Sequence, residues 1–429
     1  MNSHRIFHNT YNTLISALSP LIFGRLLLKG FQSPGYKHRW SERLGHAPFR
    51  SERGTIWVHA VSVGEVQAAV PLIEQLRARH PDLEIMVTTT TPTGSQQLRD
   101  QLGDNVLHCY APYDFPFAVS RFLDAARPAL TVIMETEIWP NIFRECSRRD
   151  IPLFLANARI SPSSFRRYQL IRGFLTELLR DVTVLAQSQA DADRFLALGA
   201  QAKQTTVCGN MKFDIQLLRE LVDRGNQLGD RLSGGKHLVW IGASTHQGEE
   251  EHLLRAHRVL TQHCPGAVLL LVPRHPERFE HIAGLCRRHG FSLHRRSQGL
   301  FPEQPCSVYL GDSMGELPLY YAASDIAFVG GSLVPTGGHN LLEPAALNRP
   351  ILTGPHVFNF TQIRDLLLER QGLLQLSDPE QLDESLCRLA LDPALRTEMG
   401  NRAREVVQEN QGATQTILAQ LETTLPSRS

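Results

Sequence analysis

Ile56-Trp57-Val58-His59-Ala60-Val61-Ser62-Val63-Gly64-Glu65 is an apolar run of strand length that ends in a Ser-x-Gly turn and feeds a helical pattern. That pattern covers Glu65–Arg79, and a second apolar run follows at Glu84–Thr90. Strand, helix, strand is a βαβ unit, so the two strands lie parallel. Outward from it, strand-like runs recur at Val106–Cys109, Leu130–Met134, Leu153–Ala156, Val182–Ala186 and Thr205–Cys208. Helical patterns separate them, as at Phe115–Ala125, Ile138–Arg149 and Ser163–Leu179. The series predicts a parallel sheet covered on both faces. Leu228–Lys236, with Gly229, Ser233, Gly234 and Gly235, reads as a linker. The alternation then restarts, with strands at Leu238–Gly242, Ala267–Val272, Val308–Leu310, Ile326–Val329 and Ile351–Thr353. Residues 379–424 read as helical throughout. The expected class is α/β: two Rossmann-like parallel-sheet domains, residues 35–227 and 228–429, facing a central cleft, preceded by a segment at 1–34. No GxGxxG opens either domain and no GxxxxGK[ST] occurs, which disfavours a dinucleotide cofactor and excludes a P-loop.

A chain of 429 residues with 42% hydrophobic and 20% charged residues is globular, which excludes disordered, collagen-like and coiled-coil classes. The net charge of +1 hides an asymmetry: residues 1–53 hold eight basic side chains and two acidic ones. A basic arm on a slightly acidic body predicts an anionic surface as partner, and without a basic stripe on the body nucleic acid is not expected. Between Arg5 and Arg25 no residue is charged, but His8, Asn9, Asn12, Thr13, Ser16, Ser19 and Pro20 interrupt the stretch. It reads as a weak uncleaved anchor, either a short signal-anchor or an interfacial helix, with packing on the body as the alternative. The cations that follow it would keep the body in the cytoplasm. The seven cysteines show no CxxC and no zinc spacing, and fit a reducing compartment.

Polar residues cluster at strand ends, where α/β sheets bind ligands. Glu65 opens a helix whose dipole favours an ionised carboxylate, so it is a candidate general base; capping is the plain alternative. Glu135 and Glu137 end the strand at 130–134, one to meet substrate and the other to cap a helix. Lys212 follows the strand at 205–208 and suits an anion, or a simple pair with Asp214. Arg159, Arg166 and Arg167 are either phosphate contacts or a solvated face. In the second half Arg274 ends a strand, and Gly330-Gly331 and Gly337-Gly338-His339-Asn340 lead to a helix start bearing Glu343. Backbone N–H groups there would face a phosphate, and Glu343 a ribose.

The chain resembles the bacterial 3-deoxy-D-manno-octulosonic acid (Kdo) transferases of lipopolysaccharide biosynthesis. The resemblance runs from about residue 35 onward. It rests on HAVSVGE (59–65), TPTG (91–94), METEIWPN (134–141), NARIS (157–161), MKFD (211–214), STHQGEE (244–250), PRHPERF (273–279), MGEL (314–317), FVGGSLV (328–334), GGHNLLEP (337–344) and GPHVFNF (354–360). It implies a GT-B glycosyltransferase of the inner membrane, cytoplasmic side, with CMP-Kdo as donor and the lipid A precursor (lipid IVA) as acceptor. Glu65 is similar to the family's proton acceptor, and Glu135 and Lys212 to its transition-state stabilisers. Pro273, Arg274, Met314, Gly315, Glu316, Asn340, Leu341, Leu342 and Glu343 look like the CMP site. No metal and no cofactor are implied. Other readings are a different GT-B enzyme, such as a nucleotide-sugar epimerase or UDP-sugar transferase, and a membrane-peripheral binding protein with a decayed site.

Overall fold

The computed structural model describes residues 2–32 and 34–425. Two seven-stranded sheets form, and every strand pair in them is parallel. The first contains β1 (Thr55–His59), β2 (Glu84–Thr89), β3 (Leu107–Tyr110), β4 (Pro128–Met134), β5 (Leu153–Ala158), β6 (Val182–Ala186) and β7 (Thr205–Val207), in the order β3-β2-β1-β4-β5-β6-β7. The second contains β8 (Val239–Thr245), β9 (Val268–Pro273), β10 (Leu293–Arg295), β11 (Val308–Leu310), β12 (Ile326–Val329), β13 (Ile351–Thr353) and β14 (Leu373–Gln375), in the order β10-β11-β9-β8-β12-β13-β14. The order reverses between β1 and β4 in one sheet and between β8 and β12 in the other. Each reversal opens a crevice beyond the strand ends.

The central strands are buried on both faces. Ile56 and Val58 of β1 lie in one apolar cluster, while Trp57 points into another across the sheet. Strands β10 and β14 had no counterpart in the sequence reading. Each has three residues, too short to stand out as a strand, and β10 has none fully buried.

The chain divides into Met1–Asp214 with Gln411–Ser429, and Ile215–Asn410. The expected boundary at 227/228 is therefore displaced. Residues 219–233 form one helix, ending at Gly234 in the left-handed region (φ 55°). Of the glycines that read as a linker, Gly229 serves helix packing instead, as does Gly225 one turn before it. A Cβ on Gly225 would lie 2.3 Å from the Leu319 carbonyl oxygen, and one on Gly229 2.8 Å from that of Ala323.

The last helix, Ala413–Glu422, belongs with the first unit, not the second as the 228–429 range implied. Ile417, Leu418 and Leu421 are buried in the cluster around β1. Each contributes about 1.5–3 kcal/mol, far more than the exposed Arg79–Glu422 pair at about 0–1 kcal/mol. Asp214 accepts from the N–H groups of Gly412 and Thr414, both at 2.6 Å, and so caps this helix.

Residues 2–32 form two helices, Asn2–Ala17 and Ser19–Gln32, which break next to Pro20. Among the described residues no single helix is long and apolar enough to cross a membrane; together the pair passes that test but is bent by 46°. One side packs on the first unit. Tyr11 donates to Asp114 at 2.8 Å, and Phe23 meets Trp40, Tyr113 and Phe115. The other side exposes Leu14, Leu21, Leu28 and Phe31. All seven cysteines are free thiols.

Gly225→Ala should lower stability. Overpacking costs about 1–3 kcal/mol, against a gain in helix propensity of about 1 kcal/mol. Gly173→Ala, in a helix with nothing within 4 Å of the added carbon, is the control and should be neutral or stabilising. Urea unfolding of both variants checks this.

Candidate active site

Glu65 follows β1 and Glu135 follows β4, on either side of the first crevice. Ser62 starts the helix Val63–Arg79, its hydroxyl accepting from the Glu65 N–H. The Glu65 carboxylate turns back over the strand end. It accepts from Val61 N–H at 2.8 Å and from the Ser62 hydroxyl at 2.8 Å. Only 9% of the residue is exposed. The helix start was expected to hold this carboxylate ionised, but burial outweighs it. Burial raises its pKa to about 7 against those two hydrogen bonds, with Glu135 and Glu137 adding repulsion. A carboxyl near half-ionisation at neutral pH, with lone pairs to spare, is matched to taking a proton from a hydroxyl.

Glu135 has a left-handed backbone (φ 55°), which costs a residue with a Cβ about 1–2 kcal/mol. Its N–H donates to Ala156 O. Its carboxylate is gripped by two cations, Lys212 at 3.2 Å and Arg159 at 3.0 Å. Lys212 thus pairs with Glu135 and not with Asp214, whose oxygens cap the last helix. The turn Met211–Phe213 carries Lys212, and Asn157 holds that turn by accepting from Met211 N–H at 3.0 Å. Asn157 is fully buried and left-handed (φ 54°) at an irregularity in β5. Strained backbone at Glu135 and Asn157 marks this edge as one built for a purpose beyond packing. The structure therefore gathers Glu65, Glu135 and Lys212 at one sheet edge and adds Arg159. Arg166 and Arg167 stay on an exposed helix, Pro162–Gln169.

Neither Glu135 nor Glu137 caps the helix Pro140–Arg148, as one of them was expected to. Asp114, from a distant loop, accepts from the N–H groups of Asn141 and Ile142. No sequence signal marked it, because its partners are 27 and 28 residues away.

In the second unit, Ser244 and Thr245 end β8, His246 follows it, and Gly330-Gly331 follow β12, across the second crevice. Ser244 is left-handed (φ 54°). The glycine-rich loop was expected to aim its N–H groups at a phosphate, but Glu249 already takes three of them. Its buried carboxylate accepts from Gly331, Ser332 and Leu333, and from His246, at 2.7–3.0 Å. Its neighbour Glu250 forks onto Arg278 at 2.7 and 2.9 Å. Glu249 thus fixes the loop rather than binding ligand.

Arg274 is exposed just past Pro273, the last residue of β9, and among the described residues no carboxylate pairs with it. Nearby, His246 and His339 share a 2.8 Å Nε2–Nε2 hydrogen bond, and His275 stands edge-on to His246. Glu316 is tied to Arg296 at 2.9 Å and Ser313 at 2.6 Å, which leaves Met314 and Gly315 as the open part of that turn. Asn340 accepts from Leu342 N–H and donates to Glu343 Oε1. Glu343 Oε2 is buried without a partner, and burial raises its pKa. It is an acceptor waiting for a donor such as a sugar hydroxyl. Among the described residues no three of His, Cys, Asp and Glu are grouped as metal ligands.

Two tandem parallel sheets with polar crevices at both reversal points define a GT-B glycosyltransferase. A UDP-GlcNAc 2-epimerase from Neisseria meningitidis superposes with a TM-score of 0.55, covering 86% of this chain and 100% of its own. At 14% identity that likeness speaks to the fold alone. The family model described as 3-deoxy-D-manno-octulosonic-acid transferase (kdotransferase) matches residues 38–215. The 3-deoxy-D-manno-octulosonic acid transferase of Haemophilus influenzae is 42% identical, over 95% of this chain and 96% of its own. That of Bordetella pertussis is 34% identical, over 96% and 98%. The chain belongs to this family: it is a Kdo transferase of lipopolysaccharide biosynthesis.

The raised pKa of Glu65 makes two outcomes measurable. Turnover should rise with pH through about 7 as the carboxyl ionises, and Glu65→Gln should lose that limb. Stability has the opposite sign. The unfolded carboxyl ionises near 4.5 and the folded one near 7, so its contribution is full below about pH 4.5 and lost as pH rises through 7. Glu65→Gln should therefore gain stability over the parent across that window, as read by thermal unfolding at a series of pH values.

Proposed function

We propose that the protein transfers Kdo from CMP-Kdo to the lipid A precursor, lipid IVA, with Glu65 as general base. The observation that carries this is Glu65 itself: a nearly buried carboxyl at a sheet crevice with its pKa near 7, facing the Glu135–Lys212–Arg159 cluster. Ionised Glu65 takes the proton of the acceptor's 6′-hydroxyl as its oxygen attacks the anomeric carbon of Kdo. The bond from that carbon to the CMP phosphate oxygen breaks, and CMP departs as the anion. Lys212, held by Glu135 and the Asn157 turn, supplies positive charge to the Kdo carboxylate or to the phosphate.

In this reading CMP binds in the second unit. Arg274, just past Pro273, meets its phosphate. The open backbone at Met314 and Gly315, with Glu316 fixing the turn, and the Asn340-Leu341-Leu342-Glu343 corner hold the nucleoside, Glu343 Oε2 taking a ribose hydroxyl. With fixed cations to meet the leaving charge, the reaction needs no metal.

The protein acts on the cytoplasmic face of the inner membrane. The exposed Leu14, Leu21, Leu28 and Phe31 beside Arg25 and Lys29 support an apolar face set in anionic lipid, lying in the interface rather than crossing it.

Purified protein with both substrates should release CMP and yield a Kdo-bearing lipid by mass spectrometry, with EDTA present. Glu65→Ala should bind CMP normally and lose about 10²-fold or more in turnover; near-normal turnover would remove Glu65 as the base. Leu21→Glu with Leu28→Glu should shift the protein off anionic vesicles in flotation while CMP affinity holds; unchanged flotation would rule out this face as the membrane contact.

A further inference from the structure

Beside the Glu65 crevice the first unit contains a cavity of about 310 Å³ that no step above has used. Its floor includes Val61, whose N–H is bound to the Glu65 carboxylate, and Trp139 from the segment after Glu135. One wall is the N-terminal helix Ser19–Gln32, through Ile22, Arg25, Leu26 and Lys29. Arg43 closes another side.

Three cations line this space, and among the described residues none of them is paired with a carboxylate. Arg43 is the telling one. It is only 3% exposed, yet its charge is met by the Thr90 carbonyl at 3.0 Å and by the faces of Tyr110 and Tyr113. Its buried Nε has no hydrogen-bond partner. The nearby carboxylate of Glu42 is spent on Arg39 and on Tyr110 N–H. Arg is almost never buried without a partner, and an unpaired buried charge is costly. A site that keeps one beside two further cations is built for an anion that arrives from outside. Ile22, Leu26, Pro112 and Trp139 give the lining an apolar side and Thr90 and Thr91 a hydroxyl-bearing one, which suits a sugar or lipid stem carrying that anion.

We infer that this cavity binds a phosphate of the acceptor glycolipid, with Arg25, Lys29 and Arg43 as its ligands, and so sets the attacking hydroxyl against Glu65. The inference rests on the lipid acceptor proposed above and extends it. The N-terminal helix is then a wall of the acceptor site as well as a membrane contact, and the basic arm has a substrate to recognise.

The test uses the full-length protein, with Arg25→Gln/Lys29→Gln, both exposed positions, in detergent micelles. Acceptor binding is followed by tryptophan fluorescence for lipid IVA and for the same lipid after phosphatase treatment. Partition onto phosphatidylglycerol vesicles is measured alongside. Losing charge-assisted hydrogen bonds should weaken binding of the phosphorylated lipid about tenfold or more. The dephosphorylated lipid should bind parent and variant alike, and donor KM should not move. Unchanged affinity for the phosphorylated lipid would overturn the inference. So would an equal loss for both lipids, or a loss confined to vesicle partition, which would assign these cations to bulk headgroups. Because binding is read separately from turnover, a parent protein that binds lipid IVA through these cations but does not glycosylate it would refute the transfer reaction and leave the pocket standing.

Discussion

A parallel strand that ends at the carboxyl edge of its sheet leaves the N–H groups of the next loop without ladder partners. Buried and unpaired, each would cost a large part of a hydrogen bond. In this protein carboxylates take them up. Glu65 serves Val61, Glu249 serves four groups between 246 and 333, Asp114 serves the helix at 140, and Asp191 serves Ile160. Asp214 does the same for the chain's last helix. The loops that carry Glu65 and the Gly331–Leu333 turn depend on these contacts.

The same device yields different chemistry according to how fully each carboxylate is used. Glu249 accepts four N–H groups and has little capacity left, so it is structural. Glu65 accepts one N–H and one hydroxyl in a nearly buried place, and its proton affinity climbs to about neutral pH. Glu135 is shared between two cations and acts as the frame that holds Lys212. Burial sets the cost of charge in each case, and the number of donors decides how much of that cost is returned.

Much of the fold was legible because the central strands are buried on both faces and read as continuous apolar runs. Short strands at the sheet edges were harder to read: β10 and β14, of three residues each, were missed, while the equally short β7 was found. Gly229 misled for another reason: a glycine that lets two helices approach looks the same in sequence as one that frees a linker. Glu65, Glu135 and Lys212 were legible as polar residues at strand ends. Asn157, Asp114 and the Arg159 contact were not, because each acts on a partner that is distant in sequence.

The sequence by itself determined the α/β class, the two sheets, the family and the polar strand ends, since periodicity and motif spacing are local properties of the chain. Only the tertiary structure decided what those residues do. It turned the Gly331–Leu333 N–H groups toward Glu249, gave Lys212 to Glu135 rather than Asp214, and returned the last helix to the first unit. It also showed that the basic arm, from sequence a charge imbalance, supplies all three cations around one cavity. Pairing and desolvation depend on what lies within a few ångströms in space, and spacing along the chain does not record that.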